Sequence, residues 1–186
     1  MKSDLYLWNT EETTDSIHSC FRKEISRISK SVSNLNKYQF DGSRPPSEIV
    51  RRRIDDEFRT RNWDLSVLVA PRFPQSIPRQ NVTIDWCTTT RQSGCDSRHL
   101  LSIEICFDNR QAIGTNLLKM ELANREFERS APGETLGLLI VADRQTLRDG
   151  RWDNSAGSAE EYEVALTSAY SELITTPIGL LVLRFD

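Results

Sequence analysis

The sequence is poor in the features that mark several common protein classes. Its four cysteines, Cys20, Cys87, Cys95 and Cys106, include no close-spaced pair, which argues against both a zinc ribbon and a small disulfide-stapled domain. Reduced thiols are the expectation. Only two histidines occur, His18 and His99. Neither forms a triad pattern with serine or cysteine, and with scattered cysteines they make a poor zinc set. No glycine-rich loop is present to cradle phosphates, so no nucleotide cofactor is expected. No apolar run approaches bilayer-spanning length, and the N-terminal stretch lacks the basic start and apolar core of a secretory signal. The expected location is cytoplasmic, with no membrane partner.

What is present fits one domain over residues 1–186: 38% hydrophobic residues, 27% charged and a net charge of -3. That is enough apolar surface for one core. Basic residues outnumber acidic ones across 20–62, and the reverse holds across 121–186. A basic half on an acidic chain can face a polyanion locally. In "RRRIDDEF" (51–58), Arg51, Arg52 and Arg53 stand four residues before Asp55, Asp56 and Glu57. This spacing suits pairing along a solvated helix better than phosphate contact.

Ile17, Phe21, Ile25 and Ile28 recur at helical spacing and predict an amphipathic helix over 14–34. After Asp-Gly and Pro-Pro breaks, Ser47 is placed to cap a second helix with Val50, Ile54 and Phe58 as its stripe. Strands are predicted at 65–73, 81–90 and 99–107, the last two pairing as a hairpin, then a helix at 115–128 and a buried strand at 135–143. A polar loop over 143–158, a helix from 159 and a strand at 178–185 complete the chain. This order gives an α/β fold, a mixed sheet flanked by helices. Trp63 and Trp86 sit among apolar periodic residues and read as core.

Alternation on the 99–107 strand sends Leu101, Ile103, Ile105 and Phe107 one way and Ser102, Glu104, Cys106 and Asp108 the other. On the preceding strand Ile84 and Trp86 share one face, leaving Thr83, Asp85 and Cys87 on the other. If the strands are neighbours, Asp85 and Glu104 converge. Two close carboxylates repel unless a cation lies between them, and hard oxygen donors suit magnesium. Such a cation supports phosphodiester hydrolysis. The same two acids can equally decorate a solvated sheet face.

A helix ending in "RNW", an acid in "IDW", and "IEICF" leading to a helix and a further strand together resemble the PD-(D/E)XK nucleases. Within them the resemblance is to the BglII/BamHI-type type II restriction endonucleases, over roughly residues 46 to 145. It implies a restriction-endonuclease-like fold, with a helical arm over 1–45, a nuclease core over 46–145 and a C-terminal helix and strand over 159–186. It makes Asp85 the acid between metal and scissile phosphate and Glu104 the first acid of the E-x-K pair. The carbonyl of Ile105 becomes a further metal ligand, and Glu57 a weaker match to an acid near the metal. Where the signature has lysine, this chain has Cys106, a soft thiol mostly protonated at neutral pH. The BglII-type group tolerates a non-lysine residue there, and some nucleases of this fold supply the lysine from the following helix, where Lys119 is the candidate.

The activity implied is Mg2+-dependent cleavage of double-stranded DNA at a short palindromic site by a homodimer, with the 14–34 helix as the interface candidate unless its face serves the core. The 143–158 loop holds Arg144, Gln145, Arg148, Arg151, Asp153 and Asn154, a set suited to reading base edges and equally to an ordinary polar loop. Asn109, Arg110 and Asn116 are further candidates for DNA contact or site support. The competing reading is a catalytically inactive nuclease-fold protein that binds nucleic acid or a protein partner.

Overall fold

The computed structural model describes residues 1–9, 14–35, 46–68, 83–91, 98–107, 109–130, 133–152 and 155–185. Its centre is a six-stranded mixed sheet in the order β1-β6-β5-β4-β3-β2. The strands are β1 (Lys2–Trp8), β2 (Asp64–Leu68), β3 (Thr83–Arg91), β4 (Arg98–Ile105), β5 (Thr135–Ala142) and β6 (Ile178–Arg184). β4, β5 and β6 run parallel, while β2, β3 and β1 join antiparallel. β5 reads "TLGLLIVA" and is buried throughout, as expected of a strand covered on both faces. Its Gly137 lets the next layer close in, since a Cβ there would sit 2.8 Å from the Ile178 Cδ1 and 3.0 Å from the Met120 Cβ.

Helices α1 (Thr14–Ser33) and α2 (Pro46–Arg59) contribute to one core cluster on the sheet, and α3 (Ile113–Ser130) and α5 (Ala159–Val164) to a second. In α1, Phe21, Ile25, Ile28 and Val32 are buried in the first cluster. That apolar stripe therefore serves the core, the alternative to a dimer interface that the sequence left open. Val50, Ile54 and Phe58 of α2 pack into the same cluster, where Phe58 stacks on Trp63 (4.4 Å, 10°) and meets Trp86 at 5.4 Å. Both tryptophans belong to the core, as read from the sequence.

Several elements differ from expectation. β1 lies where no strand was expected, paired along its whole length with β6 from Lys2↔Arg184 to Trp8↔Ile178. α2 begins at Pro46, so Ser47 lies within its first turn; proline suits that position because its missing N–H has no helical partner there. The polar stretch after β5 opens with a short helix, α4 (Arg144–Asp149), because the Asp143 carboxylate accepts from the Thr146 N–H at 2.7 Å. After α5 the chain continues as a π-helical segment, Ala165–Ala169. There Thr167 and Ser168 donate their hydroxyls back to the carbonyls of Glu163 and Val164, a competition that loosens the regular ladder.

Candidate active site

β3 and β4 form the expected hairpin pair, with Trp86 opposite Ile103 and Cys87 opposite Ser102. The ladder stops at Trp86. One residue on, the Asp85 side chain takes over, accepting from the Ile105 N–H at 3.0 Å in place of a backbone carbonyl. This departure breaks the simple alternation: Ile84 joins the second core cluster while Trp86 lies in the first. Trp86 is fixed by its indole N–H, which donates to Asp55 on α2 at 2.8 Å. Asp85 is thus held between a buried tryptophan and the end of β4.

Glu104 lies on β4 and is 4% exposed. Its carboxylate is bonded by the Lys119 ammonium from α3, which also donates to the Thr83 carbonyl at 3.2 Å. Burial, then the nearby Asp85 charge, push the Glu104 carboxyl up to about 8 against the opposing pull of Lys119. On the other side Arg51 reaches in from α2. Its Nη2 donates to Asp85 Oδ2 at 3.2 Å and to the Ile105 carbonyl at 2.8 Å. Two carboxylates, one carbonyl and two cationic side chains therefore meet at the carboxyl end of β4. Asp85, Glu104 and the Ile105 carbonyl are all hard oxygen donors, a set that fits magnesium.

Cys106, where the signature has lysine, is buried beside this group. It is 2% exposed, packed beside Asn116 and Tyr162, and burial pushes its thiol far above the ordinary range. Asn116 likewise faces inward, donating to the Tyr162 hydroxyl at 3.0 Å and to Cys106 at 3.5 Å. It is buried and not placed to touch DNA.

A second concave feature opens beyond the ends of β4 and β5. Arg110, Arg144 and Arg148 line a cleft of about 240 Å³ together with Leu147, Trp152 and Glu161. Arg110 is partly neutralised by Glu161 at 3.4 Å, whereas Arg144 and Arg148 are exposed on α4. Asn109 turns its side chain back to cap the short turn Arg110–Ala112 through the Gln111 N–H. Gln145 donates to Asp149 at 2.7 Å. Arg151 is exposed on a left-handed backbone with φ of 52°. Asp153 and Asn154 lie outside the described residues.

No protein-family model and no curated protein matches the chain. Among solved structures, restriction endonuclease BglII complexed with a DNA 16-mer aligns over 100% of this chain and 78% of its own, with a TM-score of 0.66 and 17% identity. Free BglII aligns with a TM-score of 0.56 and 16% identity, over 100% of this chain and 81% of its own. The fold is that of BglII.

Within this BglII fold, several contacts run against the sequence reading. Glu57 is not brought to the carboxylate pair; it accepts from Arg61 at 2.6 Å. The i,i+4 pattern of "RRRIDDEF" concealed other contacts, with Arg51 reaching Asp85, Asp55 accepting from Trp86, and Asp56 lying 3.9 Å from Arg59. Arg51 is the site residue that sequence reasoning missed; its local carboxylate partners were sufficient to explain it.

His99 also differs from a simple strand residue. It is buried, and its Nδ1, the Cys20 thiol and the Glu134 carboxylate come within 4.8 Å of one another. These three are far apart in sequence, so spacing gave no signal. Nδ1 accepts from the Glu134 N–H at 3.2 Å and Cys20 donates to Glu134 at 3.5 Å, while Nε2 is buried without a hydrogen-bond partner.

Proposed function

We propose that the protein is a magnesium-dependent endonuclease that hydrolyses phosphodiester bonds in double-stranded DNA at a short palindromic site. The observation that carries this reading is the meeting of Asp85, Glu104, the Ile105 carbonyl and Lys119 at one point of a BglII fold. Magnesium held by the three oxygen donors would stabilise charge on the phosphoryl oxygens and lower the pKa of a bound water. Lys119, rather than Cys106, takes the part of the signature's lysine: from Glu104 it can orient the attacking water and stabilise negative charge developing beside it. Asp85 is anchored by the Ile105 N–H. Arg110, Arg144 and Arg148 supply cationic contacts to the DNA backbone, and Arg144 and Arg148 on α4 are also suited to guanine edges.

The test is incubation with long unmethylated DNA, with magnesium or with chelator. Discrete magnesium-dependent fragments are expected. Glu104→Ala should stop cleavage while a gel shift still detects binding, and Lys119→Ala should lower the rate about a hundredfold or more. Full cleavage by Glu104→Ala removes the assignment. A second reading, a nuclease fold kept for binding alone, draws on the burial of Cys106 where the signature has lysine. It predicts intact DNA under every condition together with a persistent gel shift.

A homodimer is proposed for recognition of a two-fold site. With α1 committed to the core, the surface that supports it is on α3, where Leu118 and Leu122 stand one turn apart and are 42% and 48% exposed.

A further inference from the structure

The Arg51 guanidinium belongs to none of the roles above. A single nitrogen, Nη2, lies 3.2 Å from Asp85 Oδ2 and 2.8 Å from the Ile105 carbonyl oxygen. Those oxygens are two of the three donors available to a divalent cation. A magnesium ion would need to approach each to about 2.1 Å. A nitrogen already in contact with both leaves no room for the ion between them, so the two occupants exclude each other. The remaining donor is covered in the same way by the Lys119 ammonium on Glu104. The metal-free site is therefore neutralised by side chains of the protein itself. Lys119 departs from Glu104 with little loss of proximity, because it is also tied to the Thr83 carbonyl beside the pair. Arg51 has to vacate the metal's place.

Resting on the metal reading above, we propose that Arg51 is a resident counter-ion that occupies the cation position of the free protein and competes with magnesium for it. The guanidinium offsets the Asp85 charge when no metal is present. It also weakens metal binding, since the free energy of breaking its contacts is subtracted from that of loading the ion. Removing Arg51 must therefore have opposite effects in the two states: lower stability without metal and tighter metal binding.

The experiment measures magnesium binding by titration calorimetry, and melting temperature in chelator and in magnesium, on the full chain without DNA. It compares wild type with Arg51→Gln, Arg52→Gln and Glu104→Gln. Arg52 is an exposed neighbour on the same helix, so its substitution changes the net charge equally without touching the site. Arg51→Gln should bind magnesium about tenfold more tightly than wild type, melt lower in chelator and gain more from magnesium. Arg52→Gln should stay within about twofold of wild type. Arg51→Lys keeps the charge but loses the forked guanidinium, so it should bind more tightly than wild type too, and it provides the comparison if Arg51→Gln does not fold.

If Arg51→Gln and Arg51→Lys bind no more tightly than Arg52→Gln while Glu104→Gln weakens binding, the counter-ion proposal is overturned and the metal site stands. If neither wild type nor any variant responds to magnesium, the metal reading is overturned and this proposal with it.

Discussion

Two buried glutamates on neighbouring elements show how much a carboxylate's surroundings decide its behaviour. Glu121 on α3 is 4% exposed, yet it receives the N–H and hydroxyl of both Thr175 and Thr176 at 2.7–3.0 Å, with Arg125 beside it at 2.5 Å. Burial alone would raise its pKa, but these donors outweigh it and the carboxyl lies below the usual value. A depressed pKa means stabilisation that is fully present above about 4.5 and is lost as pH falls through the folded value. Glu121→Ala should cost about 3 kcal/mol in urea unfolding at pH 7, and the gap from wild type should narrow in acid. Glu104 has the opposite sign. With its folded pKa raised to about 8, its contribution to stability is full below about 4.5 and declines as pH rises toward 8. A metal ion must displace that proton, so magnesium affinity should increase about tenfold per pH unit from pH 6 up to 8 in calorimetric titrations. A flat profile would mean that Glu104 does not hold the exchanged proton.

At the scale of elements, the placing of the site depends on packing behind it. Trp86 is adjacent to Asp85 and is wedged between Phe58 and the sheet, with its indole bonded to Asp55. Trp86→Ala should cost about 4 kcal/mol in denaturant unfolding, against about 2 kcal/mol for Trp86→Phe, which keeps an aromatic ring but loses part of the indole volume and its N–H. The sequence expressed these elements unevenly. Period-two alternation in β4 and the hydrophobic run of β5 were readable because burial dictates them directly. The meeting of Asp85 with Glu104 followed from a hairpin that needs only local pairing. Arg51 was not readable, because Asp55 one turn away gave it a sufficient local partner and its reach to β3 depends on how α2 lies across the sheet. β1 alternates too, with Leu5 and Leu7 packing against the core, but one short strand at a chain end carries little signal without its partner. Likewise, the polar composition of 143–158 suggested a loop across a segment whose start is helical because of one aspartate cap.

For the molecule as a whole, the apolar stripe of α1, read from the sequence as serving either a dimer interface or the core, is packed into the core. The exposed pair on α3 should take its place: Leu118→Glu with Leu122→Glu is expected to convert a dimer to monomers in sedimentation or light scattering, with the melting temperature little changed. A dimer that survives both substitutions would place the interface elsewhere. The overall architecture was legible since the order of strands and helices restricts the sheet to few arrangements. Which exposed face joins another molecule was not, because α1 and α3 both offer leucine or isoleucine at helical spacing and only the packed structure distinguishes their uses.

The pairing of β1 with β6 also has a consequence for how the chain is made. The first strand leaves the ribosome early, while its hydrogen-bonding partner begins only at Ile178. At about 5–20 residues per second, β1 waits roughly ten to thirty-five seconds before it can be covered. During that interval the carboxylates and Lys119 are already in the nascent chain, but β6, the strand between β5 and β1, is missing. Closure of the sheet on the β1 side, and protection of that edge, therefore cannot precede synthesis of β6.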